Sequence, residues 1–180
     1  MANLSTTRPV FSGEIALPGK PDSKSANPNG GPVGVVFNVM EHLGKLNIRG
    51  DYSLKAAIEA ATGCRFPPLA NQFTAAGERR VIWLAPDEYL LLCESGKEKA
   101  LQDILVSTIK TSHFAVTDVS DSLCALSLSG IAVRDVLAKG CSLDLHPSKF
   151  GTGECAQTLL AHAGIILVAL SDDTFILICR

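Results

Sequence analysis

The stretch from Thr117 to Phe150, TDVSDSLCALSLSGIAVRDVLAKGCSLDLHPSKF, constrains the fold more than any other part of the chain. It reads as a strand, a short helix and an anchored loop. Cys124, Leu126 and Leu128 alternate with Ala125, Ser127 and Ser129, the two-residue period of a half-buried strand. Ser129 is placed to cap a helix, because its hydroxyl can accept one of the N–H groups that a first turn leaves unpaired. In that helix Ile131, Val133, Val136 and Leu137 are apolar, Arg134, Asp135 and Lys139 are charged, and Asp135 stands one turn before Lys139. Gly140 ends it. The following Cys141 to Phe150 is too apolar for a free loop and too broken by Pro147 for a helix. Leu143, Leu145 and Phe150 are therefore expected as successive anchors on the surface of a sheet.

The rest of the chain supplies compatible pieces. Residues 1–34 are rich in Ser, Pro, Gly and Asn and read as a flexible or extended arm. Lys45 to Arg49 alternates like a strand, and a helix beginning at Ser53 places Leu54, Ala57, Ile58 and Ala61 on one face before Gly63 stops it. Arg80–Leu84 and Glu88–Cys93 are apolar runs joined by Ala85-Pro86-Asp87, a hairpin signal. Ser95 and Glu98 have the spacing of a capping box, and the helix they open sets Leu101, Ile104, Leu105 and Ile109 on one side. After Phe114 to Asp118 and the central stretch come Ala156–Ala161, Gly164–Leu170 and Thr174–Cys179, punctuated by turns. The order predicts an α+β fold of two split β-α-β (ferredoxin-like) halves, with mostly antiparallel sheets and helices on one face. The expected organisation is an arm at 1–34 and one domain at 35–180, its halves dividing at about 35–112 and 113–180. The last strand, with no helix after it, leaves an apolar face or edge that needs a partner.

A formal net charge of -2 argues against nucleic acid as a partner, since neutralising phosphates requires clustered Lys and Arg. No apolar run is long enough for a membrane span and the N-terminus lacks the order of a signal peptide, so a cytoplasmic protein with no membrane partner is expected. The six cysteines form no C-x-x-C pair and lie mostly in strand-like runs, where reduced thiols behave as small hydrophobes. Gly30 to Gly34 resembles a phosphate loop only superficially, because no Lys-Ser/Thr follows and no strand precedes it.

Catalysis needs a nucleophile, a base and an orienting group, or ligands at short spacing. His42, His113, His146 and His162 are scattered, and Cys141 and Cys155 near two of them give no preformed metal corner. Asp118, Asp121 and Asp144 are candidate acids or bases, yet turn chemistry accounts for them better. Trp83 reads as core or interface rather than a cofactor stacker. Arg49 and Arg134, candidate anion clamps, stand at element ends where a nearby carboxylate is the usual partner. No catalytic, cofactor-binding or metal-binding residue is assigned.

Several segments together resemble the gamma subunits of heterotetrameric sarcosine oxidases: Lys45 to Asp51, VIWLAPDEY at Val81 to Tyr89, Asp118-Val-Ser120, Gly130 to Leu137, and KGCSLDLHP at Lys139 to Pro147 with Phe150, Gly153 and Cys155 to Thr158. That family is similar to the folate-binding aminomethyltransferase, the T protein of glycine cleavage. The resemblance implies a noncatalytic subunit of a complex that oxidatively demethylates sarcosine to glycine, forms hydrogen peroxide and passes the one-carbon unit to tetrahydrofolate. Its implied partners are alpha, beta and delta subunits, with FAD, FMN, NAD, zinc and tetrahydrofolate on those chains and no cofactor on this one. The chain departs from T proteins in having no acid in Gly164 to Leu170, and Lys139-Gly-Cys141 copies only three letters of a motif in folate-dependent iron-sulfur assembly proteins. A free-standing folate-binding module of the T-protein family is the alternative, and an independent redox or metal enzyme built on Cys141 and Cys155 a third.

Overall fold

The computed structural model describes residues 15–18, 33–111 and 113–180. Most of the 1–34 arm, with Gly30 to Pro32 of the glycine-rich loop, thus lies outside the described residues, although Ile15–Pro18 (β1) is a strand paired with Val33–Val39 (β2). Gly44–Arg49 (β3) is followed by a single 3-10 turn at Tyr52–Leu54 and then Lys55–Thr62 (α1). Next come Phe73–Ala76 (β4), Arg79–Ala85 (β5), Glu88–Cys93 (β6), Glu98–Thr108 (α2) and Ala115–Asp118 (β7). The chain finishes with Cys124–Ser129 (β8), Val133–Ala138 (α3), Cys155–Leu160 (β9), Ala163–Ala169 (β10) and Thr174–Cys179 (β11).

These strands make two sheets, β4-β5-β6-β3-β7 and β1-β2-β8-β11-β10-β9, with every neighbouring pair antiparallel. The sheets pack face to face. Ile82, Leu84, Leu90 and Leu92 of one meet Ala125, Val168, Ile176 and Ile178 of the other. The outer face of the first sheet is covered by α1 and α2 through Leu46, Ile48, Ile58, Leu91, Leu101 and Leu105. The outer face of the second is covered by α3 and the following loop through Leu128, Val133, Leu137, Leu145, Phe150 and Phe175. Strands buried on both faces need apolar residues at every position, which is why β6 (EYLLLC) and β11 (TFILIC) show no alternation.

The two halves repeat one plan. In the first, β3-α1-β5-β6-α2-β7 forms a split β-α-β unit with spatial order β5-β6-β3-β7. In the second, β8-α3-β10-β11 gives the same order, β10-β11-β8-β2, with β2 as the fourth strand. Gly44 pairs with Cys93 at one end of β3 and β6, as Cys124 pairs with Cys179 at the same end of β8 and β11. Gly50 and Gly130 follow β3 and β8 with φ of 147° and 129°, values that side-chain-bearing residues rarely adopt. A Cβ on Gly130 would stand 2.3 Å from the Gly34 carbonyl oxygen, where β2 passes.

The sheets do not divide at 112/113. β7 lies beside β3 in the first sheet, and β2, from the start of the chain, lies beside β8 in the second. The periodicity also overlooked β4, whose FTAA has little β-propensity on its own and is held by pairing with β5. Three local expectations change for tertiary reasons. Ser129 stays in β8, opposite both Thr174 and Val36, so α3 starts at Val133 with no side-chain cap. The Ser95–Glu98 box does not form, and the Glu98 side chain instead lies over Gly44. Ile104 is 47% exposed, because α2 seats Leu101 and Leu105 and sends Gln102 to the Val116 carbonyl.

Candidate functional site

Two polar junctions and a set of cysteines are where chemistry-bearing side chains gather. The first junction is centred on Arg134 in α3. Its guanidinium stacks 4.9 Å from the centre of the Phe175 ring, and Nη1 donates to the carbonyls of Leu145 (2.5 Å) and Phe150 (2.8 Å). Nε donates to the Asp172 carbonyl at 2.8 Å, and Nη2 stands 3.6 Å from the Asp172 carboxylate. One planar fork thereby pins the 141–150 loop onto the β10–β11 turn, a geometry that a point-charge ammonium cannot reproduce. Asp144 accepts from the His146 N–H at 3.0 Å, as turn chemistry predicts, and Cys141, Leu145 and Phe150 are buried against the sheet. Leu143 is only half-buried, a weaker anchor than its neighbours.

The second junction lies where the chain crosses between sheets. Lys45 is 4% exposed, and its ammonium donates to the carbonyls of Leu43 (2.6 Å) and Ser120 (3.1 Å), one in each crossover. Its N–H reaches Ser120 Oγ at 2.9 Å, and Ser120 Oγ in turn donates to Asp118 at 2.6 Å. Burial pulls the Lys45 pKa below its usual value, with Cys124, Asp121, Asp118 and Glu98 opposing that shift. Sequence reasoning missed this residue. In the alternating KLNIR it looks like one more solvated charge, and only its position beside both crossovers buries it.

The remaining candidates are dispersed. Cys141 lies in the outer core of the second sheet with Sγ 3.6 Å from Thr158 Oγ1, whereas Cys155 faces the other sheet and donates to the Trp83 carbonyl at 3.4 Å. The second sheet separates them. Burial pushes the Cys155 thiol up to about 12 and the Cys93 thiol to about 11, the latter aided by Glu98 and Glu94, so both are protonated at neutral pH. His42, His113, His146 and His162 are exposed and lie on separate elements. Among the described residues no three His, Cys, Asp or Glu side chains converge as a metal site. Arg49 pairs with Asp87 (3.0 Å) and Glu88 (2.9 Å), Asp121 is exposed, and Trp83 packs half-buried against the helix-side core. Among the described residues no helix is long and apolar enough to cross a membrane.

Residues 48–180 match the sarcosine oxidase, gamma subunit family. The chain is 34% identical to the sarcosine oxidase subunit gamma of Corynebacterium sp. (strain U-96) over 128 residues, 69% of this chain and 60% of that protein. It is 33% identical to the corresponding subunit of an Arthrobacter species over 126 residues, 69% and 61% of the two. The match thus spans about three fifths of these relatives' length. The fold superposes with a TM-score of 0.74 and 30% identity on a chain of the heterotetrameric sarcosine oxidase from Corynebacterium sp. U-96, covering 81% of this chain and 75% of that one. It also superposes on the glycine cleavage aminomethyltransferase T of Bartonella henselae (TM-score 0.55, 15% identity, 80% and 41% covered), a likeness of fold alone. The fold, the ordered motifs and the identity over these residues agree, and the chain belongs to the sarcosine oxidase gamma subunit family.

Proposed function

We propose that this chain is the structural, noncatalytic gamma subunit of a heterotetrameric sarcosine oxidase. The observation that carries the reading is the family match over residues 48–180, joined to a superposition at 30% identity on a chain of such an assembly. The polar groups support a scaffold role. Arg134 Nε and Nη1 and the Lys45 ammonium donate to backbone carbonyls of their own chain, and Asp118 and Asp144 bond nearby N–H groups. In this reading alpha, beta and delta subunits are the partners and hold FAD, FMN, NAD, zinc and tetrahydrofolate. The assembly works in the cytoplasm, demethylating sarcosine to glycine with release of peroxide and transfer of the one-carbon unit to tetrahydrofolate.

The test is coexpression with candidate alpha, beta and delta chains, following flavin content and peroxide release from sarcosine. A flavin-bearing complex should assemble only when this chain is present. Arg134→Met should lower the yield of complex while leaving turnover per flavin unchanged. Normal assembly and turnover without the chain would overturn the reading.

A further inference from the structure

We infer that Cys124 and Cys179 form a cross-strand dithiol that hydrogen peroxide oxidises reversibly to a disulfide. The two residues stand directly opposite each other, the first residue of β8 and the last of β11. The Gly130 N–H to Asp173 carbonyl bond, in the same register, makes 124/179 a hydrogen-bonded pair, with Cα atoms about 5.5 Å apart. That separation falls inside the window for a disulfide. Closing the bond draws the two Cβ atoms together by roughly 1 Å, which leaves a strained and easily reduced link. Both side chains point to the outer face of the second sheet, since Leu126, Leu128, Phe175 and Leu177 of the same alternation lie in its outer core.

The matching places in the two halves differ in their cover. At the matching place in the first half, Cys93 lies opposite Gly44 and is fully buried, with Glu98 at the start of α2 over that glycine. In the second half Cys124 is exposed and Cys179 half-buried. Neighbouring Phe37, Val39 and Leu126 are only partly covered. Burial, and after it the charge of Cys124, raises the pKa of Cys179. Cys64, Cys93, Cys141 and Cys155 are all buried.

The chemistry balances with peroxide as the oxidant. The Cys124 thiolate attacks one peroxide oxygen, the O–O bond breaks, and the departing hydroxide takes a proton to become water, leaving a sulfenic acid. The Cys179 sulfur then attacks the Cys124 sulfur and expels the second oxygen as water, its thiol proton completing that water. Two thiols and one hydrogen peroxide give one disulfide and two waters, the two electrons passing from sulfur to oxygen.

The experiment treats the reduced chain with equimolar hydrogen peroxide under native conditions, alkylates it after denaturation and maps the peptides. The expected result is loss of two of the six free thiols, a cross-linked peptide joining Cys124 to Cys179, and full recovery with dithiothreitol. In Cys179→Ser, oxidation should stop at a Cys124 sulfenic acid that dimedone captures. Equal alkylation of both residues with and without peroxide would overturn the inference. So would links formed between two chains, or faster oxidation of Cys64, Cys93, Cys141 or Cys155. The result does not depend on assembly with other subunits.

Discussion

Leu46 and Leu126 hold matching places in the two halves and live under different cover. Leu46, on β3, is wholly buried beneath α1 and α2, whereas Leu126, on β8, is only partly buried on a face that α3 and a pinned loop cover at one end. The same strand order therefore supports two kinds of outer layer. Two helices cover the outer face of the first sheet over Leu46, Ile48 and Leu91. In the second a six-residue helix and a loop suffice only because Arg134 ties that loop down. Among the described residues, one planar cation thus supplies the second outer layer with attachment points that packed helices supply in the first.

The most severe way to break the comparison is to remove the matching leucines. Leu46→Ala should cost about 2–5 kcal/mol and Leu126→Ala about 1 kcal/mol in urea unfolding, because only the first leaves a closed cavity. Equal costs would mean that the second face is as well sealed as the first. Arg134→Met removes the donors for two part-buried carbonyls and should cost about 2–4 kcal/mol, with faster proteolysis within 141–150. Arg134→Lys should restore little of that, as a single ammonium cannot serve both carbonyls and the Phe175 face together.

Alkaline titration sharpens the contrast between covered and open thiols. Cys93 and Cys155 have folded pKa values raised to about 11 and about 12 from an ordinary 9.0. Their contribution to stability is complete below pH 9 and is lost as pH climbs through 9 to 11 for Cys93 and on to 12 for Cys155. At pH 11 each should have forfeited about 2–3 kcal/mol. Lys45 works the other way. Its folded pKa is lowered, so the unfolded chain holds more protons in the window up to 10.5 and stability rises there with pH. The wild-type melting temperature should still fall above pH 9, since four raised thiols, Cys64 and Cys179 with these two, oppose one amine, and Cys155→Ala should flatten the slope even if it lowers stability at pH 7.

The smallest effect concerns the start of α2. Ser95→Ala should change stability by less than about 0.5 kcal/mol, because Ser95 is exposed and no side chain caps this helix. A loss near 1 kcal/mol would reinstate the capping box that the spacing suggested.

Periodicity and punctuation were enough to place α1 with its stop at Gly63, the β5–β6 hairpin about Pro86-Asp87, and the three closing strands. These are local signals, carried by neighbouring side chains and by the few residues that tolerate a turn. The 141–150 loop was legible for the same reason, since apolar anchors beside Pro147 leave few alternatives. The family, too, was carried by short ordered motifs such as WLAPDEY and KGCSLDLHP.

What the chain did not announce depends on residues far apart in sequence. β2 completes the second sheet across some ninety residues of intervening chain, and nothing in VGVVFNV names β8 as its neighbour. Lys45 becomes a buried staple only because two crossovers meet beside it, and Ser129 loses its cap because strands on both sides hold it extended. Composition could count the cysteines, while register alone set Cys124 against Cys179. Local physical chemistry selects the elements. Long-range pairing and burial, whose loop-closure cost no local window registers, decide which side chains meet and which face stays open.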